Sequence, residues 1–189
     1  MKEDIEFLEK KLIEKHPNPF QYLKSEDFFA YTEELKTTKE KMSVYEFGMK
    51  LMILLSSMCD GHTGIAHSIG FLGSLNFPLE IEYMGDGYYV VSTSKEYVDI
   101  IGSQLLSINN LSMSEVERLL SPIISIENEV SLQHYIPKIL TEPTILNYFG
   151  IVNGEEWVLE LEKDSKKSSI VMPALDHRTS LIDISCCYQ

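Results

Sequence analysis

The spacing of the apolar residues changes character after Gly64, and that change limits the fold more than any other feature. Through Met58 the apolar positions recur at helical spacing; beyond Gly64 alternating, strand-like stretches enter among further helical ones. Ile5, Leu8, Leu12 and Ile13 share one face of a helix expected over residues 3–15. His16-Pro17-Asn18-Pro19-Phe20 stops it, because each proline biases the residue before it out of the helical region. A second helix is expected over about 26–36, capped by Ser25 and carrying Phe28, Phe29, Tyr31 and Leu35. Ser43 and Glu46 stand at capping-box spacing and open a third, about 44–58, with Val44, Phe47, Leu51, Leu54, Leu55 and Met58 at helical period. Three such stripes bury one another or a partner domain, since about 60 residues alone make a marginal core.

Downstream, Phe77 to Tyr83 reads as a strand, Gly85-Asp86-Gly87 as a turn and Tyr88-Tyr89-Val90-Val91 as the return strand of a hairpin. Gln104 to Ile108 is a short buried strand ending at Asn109-Asn110. A helix follows over 114–120, capped by Ser112 or Ser114 and ended by Pro122. Residues 130–140 and 143–149 read as helical, with Pro137 an interruption or a kink. Glu156 to Leu161 and Ser168 to Met172 alternate around Lys163-Asp164-Ser165-Lys166, a second hairpin. The fold class is therefore α+β: a helical segment over 1–63, a small β-sheet domain over 64–173 with a helical insertion at about 122–150, and an irregular tail over 174–189.

Charge narrows the partners. Sixteen basic against 29 acidic residues leave a net charge of -13, which repels phosphate backbones and anionic bilayers. No nucleic-acid or membrane partner is expected. An apolar fraction of 44% is enough for a packed core. Cys59, Cys186 and Cys187 have no metal-ligand spacing, so reduced thiols, no metal and no cofactor are expected. The charged start Met1-Lys2-Glu3-Asp4-Ile5-Glu6 has no apolar signal region, and no apolar run approaches the ~18 residues of a membrane span. The chain as written reads as cytoplasmic, although a parent protein could be exported.

Asp60-Gly61-His62-Thr63 holds the densest chemistry. An imidazole titrates near neutral pH, so His62 suits a general base or acid, with Asp60 or Thr63 orienting it or capping the next element. The same four residues also read as a plain turn carrying an incidental histidine. His62 and His67 are five apart, which does not fit a helical metal pair. His16, His134 and His177 read as structural or solvated. No nucleophile elbow, phosphate loop, dinucleotide fingerprint or zinc-protease helix is present.

The order of these pieces resembles the N-terminal part of the C-terminal processing (tail-specific) serine peptidases, especially their tricorn-like bacterial members. The resemblance runs over about 5–172. It rests on His16-Pro17-Asn18-Pro19-Phe20, on Glu46-Phe47 leading to Asp60-Gly61-His62-Thr63, on Asp86-Gly87-Tyr88-Tyr89-Val90-Val91 and Glu96-Tyr97, and on Gly102 through Ile108-Asn109-Asn110. It implies a PDZ-like second half, with Phe77, Leu79 and Ile81 in a strand that lines a peptide groove and residues 114–120 as the opposite wall. Leu72-Gly73-Ser74-Leu75-Asn76-Phe77 falls at the carboxylate-binding loop, with Asn76 where a glycine is common. It implies His62 as the catalytic base toward a serine in a later α/β core, which this sequence does not contain. The expected partners are then a peptide or unfolded protein substrate and a separate or missing catalytic core. Without nucleophile and oxyanion donors, the chain alone should hydrolyse almost nothing. Two alternatives stand beside this reading: a non-catalytic PDZ-like peptide-binding module, and a structural fragment that pairs with another chain.

Overall fold

The computed structural model describes residues 1–38, 42–65, 75–126, 128, 130–176 and 182–183. These residues form a mixed helical and antiparallel-sheet structure, an α+β fold. They divide into two compact units. One gathers the described residues of 1–71 and 122–129, the other those of 72–121 and 130–189. Residues 122–129, expected within the insertion, thus belong with the helical unit.

The helical unit contains α1 (Lys2–Lys15), α2 (Ser25–Thr37) and α3 (Val44–Ser56). At the start of α3 the capping box forms as expected: the Ser43 hydroxyl accepts from the Glu46 backbone N–H at 3.1 Å, and the Glu46 carboxylate accepts from the Ser43 N–H at 2.9 Å. Ser25 is different from its expected role. It is the first residue of α2, Lys24 is the N-cap, and the Ser25 hydroxyl donates to Glu26 at 3.3 Å.

Two apolar clusters hold the helices. Ile5, Leu35 and Phe47 form one; Leu12, Phe28, Leu54, Leu55 and Met58 form the other. Ile13 and Val44, expected on the buried stripes, are exposed. Ile13 lies eight residues past Ile5, about 80° round the helix and at the edge of the stripe. A polar tie joins α1 to α2: the fully buried Thr32 hydroxyl donates to Glu9 at 2.6 Å, and Lys36 pairs with the same carboxylate at 2.8 Å.

The sheet unit has strands β1 (Leu75–Asn76), β2 (Leu79–Tyr83), β3 (Tyr88–Thr93), β4 (Gln104–Ile108) and β5 (Leu111–Ser112), then helices α4 (Met113–Leu120), α5 (Ser131–Ile139) and α6 (Pro143–Tyr148). It ends with β6 (Glu156–Lys163), β7 (Lys166–Pro173), β8 (Leu175–Asp176) and β9 (Ile182–Asp183). The main sheet runs β2-β3-β4-β6-β7, all antiparallel; β5 adds to β4 and β9 to β3, while β1 pairs β8 separately. Asn109 and Asn110 have φ of 48° and 66°, and Asp164 and Ser165 have 50° and 60°. Two consecutive left-handed residues match the twist of the strands they join, so both hairpins close tightly. Asn109 also stitches its neighbours: its side chain accepts from the Val158 N–H at 2.7 Å and donates to the Ile151 carbonyl at 3.1 Å.

Between Glu80 and Ile81 the β2–β3 register slips by one residue, so Val91 has no partner residue across the ladder. Phe77 lies outside β2, separated from it by Pro78, which has no N–H for a ladder. Its ring stacks on Trp157 at 4.0 Å and 12° between planes, and both side chains are buried.

Of the two serines open as the cap of α4, Ser112 takes the role, through a capping box with Glu115. Two expectations for this unit need correction. Helix 113–120 packs against β4 and β5, whereas α5 packs against β2. The groove wall opposite β2 is therefore α5 rather than residues 114–120. The region after Pro173 is not wholly irregular: β8 pairs β1 and β9 pairs β3. Two-residue strands are too short to leave a period in a sequence. Pro137 lies inside α5 and the helix continues past it, Leu140 donating to Ile136 at 3.0 Å. The expectations for His67, for Leu72-Gly73-Ser74 and for His177, Cys186 and Cys187 fall outside the described residues.

Replacing Phe77 by Ala removes the Trp157 stack and leaves a cavity in the core. Urea unfolding should show a loss of about 3–5 kcal/mol for Phe77→Ala, while Val171→Ala on the exposed face of β7 should stay within about 0.5 kcal/mol of the parent.

Candidate functional site

Two places in the fold concentrate chemistry, one in each unit. In the helical unit, α3 ends at Ser56, and Cys59 takes a left-handed backbone with φ of 52°. That reversal presents the Asp60 carboxylate to three donors. Thr63 Oγ1 donates at 2.7 Å, the His62 backbone N–H at 3.0 Å and His16 Nε2 at 2.6 Å. His16 Nδ1 accepts from the Asn18 N–H at 3.1 Å, so the ring proton sits on Nε2 and points at Asp60. Both ring nitrogens of His16 are thereby engaged.

The Thr63 hydroxyl, then the His62 N–H, then His16 stabilise the ionised form of Asp60 and hold its carboxyl down from 3.8 to about 2. A cavity of about 410 Å³ adjoins this cluster, with His16, Tyr22, Cys59 and Asp60 among its walls.

His62 itself is exposed, and its ring makes no hydrogen bond among the described residues. Asp60 holds the backbone of His62 and orients the ring of His16. Of the roles open to Asp60 and Thr63, the geometry realises the holding of the turn. The residue that the sequence reading passed over is His16, which it took for a loop histidine. His16 and Asp60 are 44 positions apart, so no local pattern joins them.

The second place is the outer edge of β2. β3 covers one edge of this strand, and no strand covers the other among the described residues. A cavity of about 810 Å³ lies there, between β2 and α5. Leu79 and Ile81, 1% and 5% exposed, line its sheet side; Gln133, His134, Pro137 and Lys138 line its helix side. Lys138 Nζ is 2.8 Å from His134 Nε2 and lies over the Tyr135 ring, 5.3 Å from its centroid. Leu79 and Ile81, two of the three residues expected along a groove, line this cavity. Phe77 does not: its ring lies against Trp157 and is absent from the cavity lining, because Pro78 ends the ladder before it.

Among the described residues no group of three or more His, Cys, Asp or Glu side chains could hold a metal ion, and no helix is long and apolar enough to cross a membrane. Comparison with protein-family models and with curated proteins returns no match.

The depressed carboxyl of Asp60 has a consequence for pH. A folded-state value below the unfolded one stabilises the fold at pH above about 4, and this contribution fades as pH falls toward 2. In denaturant unfolding at a series of pH values, the stability gap between the parent and Asp60→Asn should be widest above about pH 5 and should shrink steadily down to pH 2. A gap that does not change with pH would remove the three-donor account of this turn.

Proposed function

We propose that this chain binds extended polypeptide by strand addition along β2, as the substrate-holding, PDZ-like part of a serine peptidase of the tail-specific, tricorn-like kind. The observation that carries the binding reading is a strand edge, unpaired among the described residues, that runs beside a helix with a cavity between them. Alternate N–H and C=O groups on such an edge point away from β3 and toward whatever enters the cavity. An entering segment adds backbone hydrogen bonds to these groups, and its side chains meet Leu79 and Ile81 beneath it.

The peptidase part of the reading comes from the resemblance of the ordered motifs, with His62 as the general base. The support in the fold is limited to the turn itself: Asp60 fixes the His62 backbone while leaving its ring free for a proton transfer. His62 would take the proton of a serine hydroxyl as that oxygen attacks a peptide carbonyl, and return it to the leaving amine.

Strand addition has a signature that other binding modes lack. Successive residues of the bound segment alternate between facing β2 and facing away with their N–H groups. A ladder of peptides, each N-methylated at one position, should therefore bind in alternation, with losses of about tenfold at every second position. Uniform tolerance, or no binding to the unmethylated parent peptides, would count against strand addition. For His62, the chain joined to a serine-bearing core of the resembled family should lose about 10²–10⁴-fold in acyl-enzyme formation on His62→Ala. An unchanged rate removes His62 from the mechanism.

A further inference from the structure

The charge on the open edge points to the kind of segment that fits it. Along β2, buried Leu79 and Ile81 alternate with exposed Glu80 and Glu82. All four line the cavity. Across the ladder the two glutamates face Ser92 and Tyr89, neither of which is a cation, and neither carboxylate forms an ion pair among the described residues. Two carboxylates two residues apart on one side of an edge strand thus have no counter-charge in their own sheet. The one lysine that lines the cavity, Lys138, belongs to α5 and is already engaged with His134 and the Tyr135 ring of its own helix.

We infer that the segment taken up by β2 is a cationic one, with Lys or Arg at alternate positions and apolar residues between them. The inference rests on the strand-addition reading above. In an added strand, residues on the outer side come to lie directly opposite Glu80 and Glu82, with Cβ atoms about 4.5–5.5 Å apart, close enough for ion pairs. Residues of the other set turn to the same side as Leu79 and Ile81, whose buried side chains suit apolar neighbours. The net charge of -13 adds long-range attraction for a basic segment and speeds its arrival at low salt. Local pairing and overall field therefore favour the same occupant.

The test uses three fluorescent peptides, acetylated and amidated at their ends, that share alternating valines and differ only in carrying Lys, Ser or Glu between them. Anisotropy titrations against the full chain at low ionic strength should rank them Lys, Ser, Glu. Cross-strand ion pairs of this kind correspond to up to about fivefold in affinity for each glutamate. The double variant E80K/E82K should invert the ranking while leaving far-ultraviolet circular dichroism unchanged. The double variant E26K/E34K makes the same change in net charge on exposed positions of α2, and should keep the ranking.

Equal binding of all three peptides would overturn the charge preference and leave strand addition standing. An E26K/E34K effect as large as that of E80K/E82K would also overturn it, since attraction would then come from net charge alone. Failure of every peptide to bind would overturn the groove reading and this inference together.

Discussion

A stacked aromatic pair ties the entry of β2 to the core of the sheet unit. The Phe77 ring stacks on Trp157 of β6, and the Phe77 N–H donates to the Thr141 carbonyl at 2.9 Å. The Pro78 carbonyl accepts from both the Thr93 hydroxyl, at 2.8 Å, and the Ser94 N–H, at 3.1 Å. These contacts anchor the entry to β2 from the core side, and the ladder with β3 and the packing of α5 hold the strand itself. A stacked aromatic pair buried in the core supplies this anchoring without any polar group of its own, apart from the Trp157 ring nitrogen, which has no partner.

Much of this fold was legible in the order of residues. Elements whose signals are local came through: the capping box at Ser43, the turn at Asn109-Asn110, the hairpin closing at Asp164-Ser165, and the helical stripe from Ile5 to Leu12. Each depends on a few neighbouring residues whose backbone preferences and side-chain reach are short-range. What was not legible depends on residues far apart in the chain. Nothing near His16 shows that its Nε2 hydrogen will meet Asp60, and nothing near 131–139 shows that this helix, rather than 113–120, will lie along β2. Ser25 illustrates a smaller difference: the helix starts one residue early, so Ser25 stands inside it and Lys24 takes the N-cap position.

The two chemically dense places differ in kind. Around Asp60 the Thr63 hydroxyl, the His62 N–H and the His16 ring converge on one carboxylate, which ties the turn down and leaves the His62 ring outside the network. Along β2 the polar groups are directed outward, and the strand is complete only when something is laid beside it. The proposed strand addition draws on the second arrangement, and the proposed proton transfer at His62 on the first.

The slipped register at Val91 also bears on how this protein behaves in a crowd of its own copies. A flat, regular edge strand is an open invitation for the same strand of a second molecule, and repeated pairing of that kind leads to aggregates. The extra residue in β3 increases the local twist of the β2 edge, so two such edges do not lie flat against each other. Glu80 and Glu82 would also meet their own likenesses across such a pair, at a separation where like charges repel. An edge built this way is open to visitors of other composition while it turns away its own kind, and the protein can leave a hydrogen-bonding strand uncovered without becoming the seed of its own precipitation.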